Sequence, residues 1–465
     1  MNNEERIALL REGSIPHVLL KMGLPTMIGM LVTGFYSLVD AYFVGGLGTS
    51  QMGAVSITFP LGQAIVGVAV LFGSGAASYL SRLLGAEKRA QANHAASTAL
   101  YSSLLVGVIS IALIVCFMDR ILYGLGATET IFPYAKQYAV IYVISSIFNI
   151  FNVTMNNIAT SEGSARVSMT AMLMGAGLNV ILAPVFIYAF HAEIVGAAFA
   201  TAVAQAITAF MYAVYILKKK SVFSFSPKEI RLEGEIFKQI FKIGIPFLAF
   251  QLVTSVAIGL TNTAAKEYGD AAIAAMGIVI RIVSMGIYAV TGFAKGFQPI
   301  AGYNYGAKQY ERLQTVTKTA VKWTTAFCVF VTFIMFAFSN SIIFLFTAND
   351  QEIIKIGSFA LRVNIIMFLL MGMEAIYSML SLALGKAVGG WIISVGRQGL
   401  FFVPIILLLP KFMGLNGVIF AQPIADLITF IFMIVLAVKL NKEIDHSANA
   451  QAFAIRSELA DEQVS

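Results

Sequence analysis

Charge is scarce in this chain: of 465 residues only 12% are Asp, Glu, Lys or Arg, about half the share of an ordinary soluble protein. So few charges cannot cover the surface of a water-soluble protein of this length, and an aqueous multi-domain enzyme is excluded. The two cysteines, Cys116 and Cys328, sit in apolar stretches and offer no disulfide framework; they read as unpaired core residues. The four histidines (His17, His94, His191 and His446) are scattered, which leaves no ligand cluster for a resident metal. No Gly-x-x-x-x-Gly-Lys-Ser/Thr string occurs, so ATP is excluded as a direct energy source. Nor do His-Glu-x-x-His or Gly-x-Ser-x-Gly occur, and no catalytic constellation can be named. The expectation is therefore a protein that is not an enzyme and holds no cofactor. The segment from Met1 to Pro16 is polar and charged, unlike a cleavable signal, and the first apolar stretch runs on as a full span.

What the chain does have is hydrophobic residues, 58% of the total, and a mean hydropathy of +0.82. At about 20 apolar residues per membrane helix, about a dozen spans fit. Apolar segments fall at 17–43, 52–80, 94–117, 133–160, 168–190 and 195–217, and again at 237–262, 272–298, 315–346, 356–384, 389–410 and 416–439. A short amphipathic helix near Ile7–Leu10, lying on the membrane surface, precedes them. The longest internal polar stretch, Lys218–Lys238, divides the spans into two groups of six. The predicted organisation is an all-α polytopic membrane protein: a six-helix bundle over 1–217, a cytoplasmic linker at 218–236, a second six-helix bundle over 237–440 and a polar cytoplasmic tail at 441–465.

The net charge of +7 is unevenly placed. With both termini and the breaks in the 80s, the 160s, 218–242, 308–322 and 386–397 on one side, that side collects roughly 23 of the Lys and Arg residues, against about five opposite. The rich side should be cytoplasmic. The positive charge thus serves topology, and no nucleic-acid partner is needed to explain it.

The two groups of six repeat each other. Lys21-Met22-Gly23-Leu24-Pro25 returns as Lys242-Ile243-Gly244-Ile245-Pro246, a displacement of 221. At the same displacement Leu31-Val32-Thr33 matches Leu252-Val253-Thr254, Gly75 matches Gly296, Gly85-Ala86 matches Gly306-Ala307, and Thr98-Ala99 matches Thr319-Ala320. Six spans per half bring both halves in from the same side, so the repeat is parallel, with its pseudo-two-fold axis along the membrane normal. Two such bundles facing a central cleft suit a transporter better than a pore.

Several strings together resemble the multidrug and toxic compound extrusion (MATE) family over nearly all of residues 15–440. They are Ser81-Arg82-Leu83-Leu84-Gly85-Ala86, Gly296-Phe297-Gln298-Pro299-Ile300, Asn304-Tyr305-Gly306-Ala307, Arg397-Gln398 with Pro404, Gly414-Leu415-Asn416-Gly417-Val418 and Gln422-Pro423-Ile424-Ala425-Asp426. The resemblance is to the bacterial multidrug exporters, and it implies drug export coupled to H⁺ or Na⁺ by alternating access.

Ionisable groups inside spans are costly, so each needs a reason. Asp40 lies in the first span, and its repeat partner is Thr261, so the halves differ chemically there. In the fourth span Tyr138, Tyr142, Ser145, Asn149, Asn152, Asn156 and Thr160 recur at helical spacing, a polar stripe that lipid would penalise. Interhelical hydrogen bonding is the plainer account of that stripe, and a water-filled substrate cleft the sharper one. The resemblance implies that Asp40 couples transport to the ion, with Tyr138, Asn179 and Thr201 beside it, and that Asp40, Asn179 and Thr201 are the ligands of any Na⁺. This chain departs from many relatives in having Ala183 before Pro184 where they carry an Asp, so one carboxylate of a two-acid sodium site is missing.

Further candidates for the cleft are Tyr142, Asn149, Asn152, Asn156 and Gln205 in the first half, and Arg281, Glu374 and Asp426 in the second. Mutual pairing of Arg281 or Arg362 with Glu374 and Asp426 is the plainer reading of the second set; a second cation site or a docking point for cationic cargo is the other. Gly292 and Gly296 form a small-xxx-small pair, a sign of close helix approach. The resulting expectation is a secondary transporter of the bacterial inner membrane, a monomer with both termini inside. Its partners are small-molecule drugs, organic cations and membrane lipid. A flippase for a lipid-linked sugar carrier is the rival; it would need several cationic groups in the cleft to hold pyrophosphate, and Arg281, Lys295 and Arg362 are the candidates.

Overall fold

Within lipid no water is available to satisfy a peptide group, so each apolar run must close its hydrogen bonds inside itself. The computed structural model describes the backbone of residues 3–346 and 350–464, with side chains throughout except at 37, 38, 40–42, 45, 49, 270, 393, 394 and 452–464. Among the described residues there is no strand. The first half comprises α1 (Asn3–Glu12), α2 (Ile15–Gly45), α3 (Thr49–Gly85), α4 (Arg89–Cys116), α5 (Met118–Gly124), α6 (Phe132–Ser161), α7 (Ala165–Pro184) and α8 (Glu193–Leu217). The second comprises α9 (Gly234–Lys266), α10 (Asp270–Gly306), α11 (Tyr310–Ala337), α12 (Ser339–Phe344), α13 (Gln351–Ala383), α14 (Ala387–Trp391), α15 (Phe402–Met413) and α16 (Leu415–Val464). Twelve helices among the described residues are long and apolar enough to cross a membrane. A π-helical stretch, Ile392–Leu400, joins α14 to α15 within one span, and a shorter one, Val185–Ala189, follows Pro184.

The repeated glycines mark where the halves touch. The principal contacts between halves are α3 on α9 and α10 on α2. A Cβ on Gly296 would lie 2.5 Å from the Cα of Gly23, and one on Gly292 would lie 2.7 Å from the Cα of Met27. Further along the same seam Gly75 meets the Ile240 carbonyl and Gly244 meets that of Leu71, and in a symmetry-related pair Gly85 meets the Tyr303 carbonyl and Gly306 meets that of Arg82. Any side chain at these positions would hold the two helices apart, which is the physical reason the 221-residue repeat keeps glycine there. The contacts run from the ends of α3 and α10, on the side of the chain termini, up to Gly34 against Tyr288 and Gly67 against Leu248. From Ile15 to Gly34 is about 28 Å of helix, so the terminus side is sealed over much of the membrane's depth.

Three local features depart from what composition suggests. The amphipathic helix α1 forms, but Leu9 and Leu10 pack into the protein core with Val18 and Leu84 and do not lie on lipid. The linker after α8 is strapped to α4: Ser97 Oγ donates to the Ser224 carbonyl at 2.8 Å and Tyr101 OH to that of Phe225 at 3.0 Å. Thr98 both donates to the Arg231 carbonyl and accepts from its N–H, and Asn93 accepts from the Ser224 N–H. Finally, Cys328 is buried as expected, but Cys116, at the last turn of α4, is exposed. The polar residues from 441 onward continue α16 as helix to Val464.

Candidate functional site

The polar stripe on α6 faces other helices of its own half and the junction with the second. Tyr138 and Tyr142 stack at a centroid distance of 5.6 Å. Asn152 Nδ2 donates to the Gln205 carbonyl on α8 at 2.9 Å, and Asn179 Nδ2 on α7 donates to Thr201 Oγ1 on α8 at 2.9 Å, both members of this second pair being buried. Asn156 donates toward Tyr212 OH at 3.3 Å and accepts from Lys295 Nζ on α10 at 3.1 Å, which ties the halves together. Thr160 and Ser168 share a hydrogen bond at 3.0 Å. Ser145 turns back to its own helix and donates to the Tyr142 carbonyl. Three side-chain oxygens in this region, Asn149 Oδ1, Asn152 Oδ1 and Gln205 Oε1, are buried with no donor among the described residues. Acceptor oxygens left without donors in a low-dielectric setting are costly, and a cation or a donor-bearing ligand would relieve them. Asp40 lies in α2, and its side chain is outside the described residues.

In the second half the charges pair, but not as composition suggests. Asp426 on α16 accepts from Arg397 Nε at 2.8 Å and from Gln422 Nε2 at 2.7 Å. Arg397, counted above with the loop at 386–397, is instead buried in the π-helical stretch of the eleventh span. A π turn re-aims side chains relative to an α-helix, and here it accompanies an arginine held against α16. Glu374 on α13 is buried near this pair, with Oε1 finding no hydrogen-bond partner among the described residues. Arg281 is exposed and stands apart from the cluster, while Arg362 donates to Ser339 Oγ at 2.7 Å. Neither arginine pairs with Glu374 or Asp426, which corrects that part of the reading.

The repeat brings the two polar centres into correspondence. Gly163 and Gly385, the positive-φ glycines closing α6 and α13, are displaced by 222, so the register steps by one residue before the tenth span. In that register Glu374 stands where the first half has Asn152, and at the original displacement Asp426 stands where it has Gln205. One half thus carries an amide pair and the other two carboxylates, of which Asp426 is bonded to Arg397 and Glu374 lies near that pair.

A buried carboxylate that the sequence reading missed lies on the terminus side. Glu162, in the turn between α6 and α7, is fully buried and accepts hydrogen bonds from Tyr215 OH, from Ser221 Oγ at 2.6 Å and from the Val222 N–H at 2.7 Å. Arg6 of α1 reaches the same Tyr215 hydroxyl at 2.9 Å and the Lys220 carbonyl at 2.8 Å. Burial pushes the Glu162 carboxyl above the usual carboxylate range, opposed by its hydrogen bonds and by the Arg6 charge. A loop Glu has no distinctive spacing, so nothing in the sequence marked it. Arg397, by contrast, lies well inside the apolar segment 389–410, and that position was the available signal.

Known proteins align with this architecture along almost its whole length. The MatE family profile matches residues 25–185 and 251–408. The chain is 31% identical over 424 residues to the Multidrug export protein MepA of Staphylococcus haemolyticus (strain JCSC1435), covering 91% of this chain and 93% of that protein. It is 30% identical to the MepA of Staphylococcus aureus (strain MSSA476) over the same shares. Among solved structures, an outward-facing multidrug resistance MATE family transporter of the MOP superfamily superposes with a TM-score of 0.89 at 27% identity, covering 95% of this chain and 98% of that one.

Proposed function

The chain belongs to the MatE family and is a multidrug efflux transporter, and from that premise we propose that it exports amphipathic, preferentially cationic compounds in exchange for H⁺ or Na⁺. The observation that carries the preference for cations is the set of buried oxygens at Asn149, Asn152 and Gln205 that find no donor among the described residues. Hard carbonyl oxygens suit a sodium ion or the polarised N–H of an ammonium cargo, and the stacked Tyr138 and Tyr142 supply aromatic surface further along the same helix, Tyr142 two turns before Asn149. Asp40 is the coupling acid in this reading, with Asn179 and Thr201 as its neutral companions. Taking up a proton or sodium ion there changes what the polar groups of α6 to α8 must satisfy, which is the two-state element that antiport requires. The terminus side faces the cytoplasm, and the seal between α2, α3, α9 and α10 is the inner gate.

The flippase alternative is less favoured because its pyrophosphate clamp would need several cationic groups to converge. Arg397 is engaged by Asp426, Arg362 by Ser339, Arg281 stands apart, and Lys295, bonded to the neutral Asn156, is left as a single cation. The deciding experiment is transport of a cationic dye in proteoliposomes, with a pH gradient and a sodium gradient imposed separately. Asp40→Asn preserves size but removes the charge, and gradient-driven transport should fall by at least about tenfold, a loss of roughly 1.4 kcal/mol in the coupled step. If Asp40→Asn transports normally while Glu374→Gln is inactive, coupling belongs to the second half. Export of anionic dyes alone would defeat the preference for cations.

A further inference from the structure

Lys295 is a cation in the seal between the halves with no countercharge among the described residues. Its ammonium makes one hydrogen bond among the described residues, to the neutral Asn156 Oδ1, and no described carboxylate lies within the 4.0 Å of an ion pair. One helical turn further toward the terminus side, Gln298 is 6% exposed and makes no hydrogen bond among the described residues, its Nε2 atom being fully buried. Both side chains line one cavity of about 10 Å³ between the halves, completed by Asn157, Thr160 and Ser161. That volume holds about one water. The surrounding hydroxyls are already committed as donors: Thr160 to the Asn156 carbonyl and Ser161 to that of Ile158. Two donor groups without adequate acceptors therefore converge on one polar space, and a buried ammonium is stabilised far more by an anion than by an amide oxygen.

We propose that Lys295 and Gln298 are the pair that recognises a carboxylate carried by an exported compound. The Lys295–Asn156 hydrogen bond crosses from α10 to α6, and parting of the halves on the terminus side breaks it and opens the small cavity to the cleft. The freed ammonium then presents its donors on the cargo's path, with the Gln298 amide one turn away. In the sealed form the ammonium returns to Asn156, and there is no room for a carboxylate. Cargo release toward the open side follows from that exchange. This proposal rests on the export reading above and adds a specificity-determining pair to it.

The test uses two dyes that differ at one group. Rhodamine 110 has a free carboxyl where rhodamine 123 has a methyl ester. In proteoliposomes, Lys295→Gln should lower rhodamine 110 export by at least about tenfold while leaving rhodamine 123 within about twofold of the parent protein, and Lys295→Arg should restore rhodamine 110. An equal loss for both dyes would mean that Lys295 only holds the seal, and no loss for either would remove it from recognition; both results overturn the proposal. If the parent protein moves neither dye, the export reading fails for this class of compound. Fluorescence anisotropy of dye binding to purified protein then decides the site by itself: weaker binding of rhodamine 110 alone in Lys295→Gln upholds the proposal, and unchanged binding overturns it.

Discussion

Asp426 shows how a carboxylate is tolerated at membrane depth. Its oxygens are filled by Arg397 and Gln422, so the cost of dehydration is offset by directed, charge-assisted hydrogen bonds. Removing one partner strands the other. Asp426→Asn should therefore destabilise the folded protein by about 3–5 kcal/mol, whereas the apolar double variant Asp426→Leu with Arg397→Met should recover much of the loss. Thermal unfolding in detergent checks this, and a single variant as stable as its parent would mean the pair contributes nothing. Glu162 makes the opposite point, because its stability contribution depends on pH. Its proton affinity is raised by burial, so ionised Glu162 relies on Tyr215, Ser221, Val222 and the nearby Arg6. A group whose folded pKa is raised loses stabilisation as pH rises, and removing Arg6 raises that pKa further. Arg6→Ala should thus lower the melting temperature more at about pH 8.5 than at about pH 5.5, and an equal loss at both would place the effect of Arg6 in packing alone.

At the scale of elements, the linker between the halves is part of the first half. Hydrogen bonds donated by Ser97, Thr98 and Tyr101 and accepted by Asn93 hold residues 224–231 along α4, and His94 pairs with Glu229 at 2.9 Å. Between the last strapped residue, Arg231, and the start of α9 at Gly234 stand only Leu232 and Glu233, both exposed. Any rotation of one half against the other must be absorbed there, since breaking the strap would forfeit several hydrogen bonds at once. Spin labels at Lys228 and Arg89 should keep one narrow distance distribution when the pH or the sodium gradient is changed, while labels at Lys228 and Lys318 should shift. A moving Lys228–Arg89 distance would relocate the hinge into the linker. The glycine pairs at α2·α10 and α3·α9 have the complementary role, letting backbones meet closely enough that the seal can form and separate as a unit.

For the whole molecule, orientation follows from charge. A cysteine at Lys228, which is exposed, should resist an impermeant thiol reagent in intact cells and react after permeabilisation. Labelling in intact cells would invert the topology. Ser221 would be a poor probe despite its place in the same linker, because it is buried and bonded to Glu162.

Twelve spans, a parallel repeat and a family membership were all legible in the order of residues, because hydrophobic length and glycine spacing act locally and recur at a fixed displacement. The stripe from Tyr138 to Thr160 was legible for the same reason: helical periodicity sets which residues share a face. Partner choice was not legible. That Arg397 and not Arg281 or Arg362 meets Asp426 depends on a π-helical stretch and on how the eleventh span lies against α16. Glu162 became a buried acid only when α1, the end of α8 and the linker closed over it, and Lys295 became a cation with no countercharge among the described residues only when α10 met α6. A sequence determines which groups need partners; the distances between helices decide which partners they find, and those distances exist only once the two halves have packed.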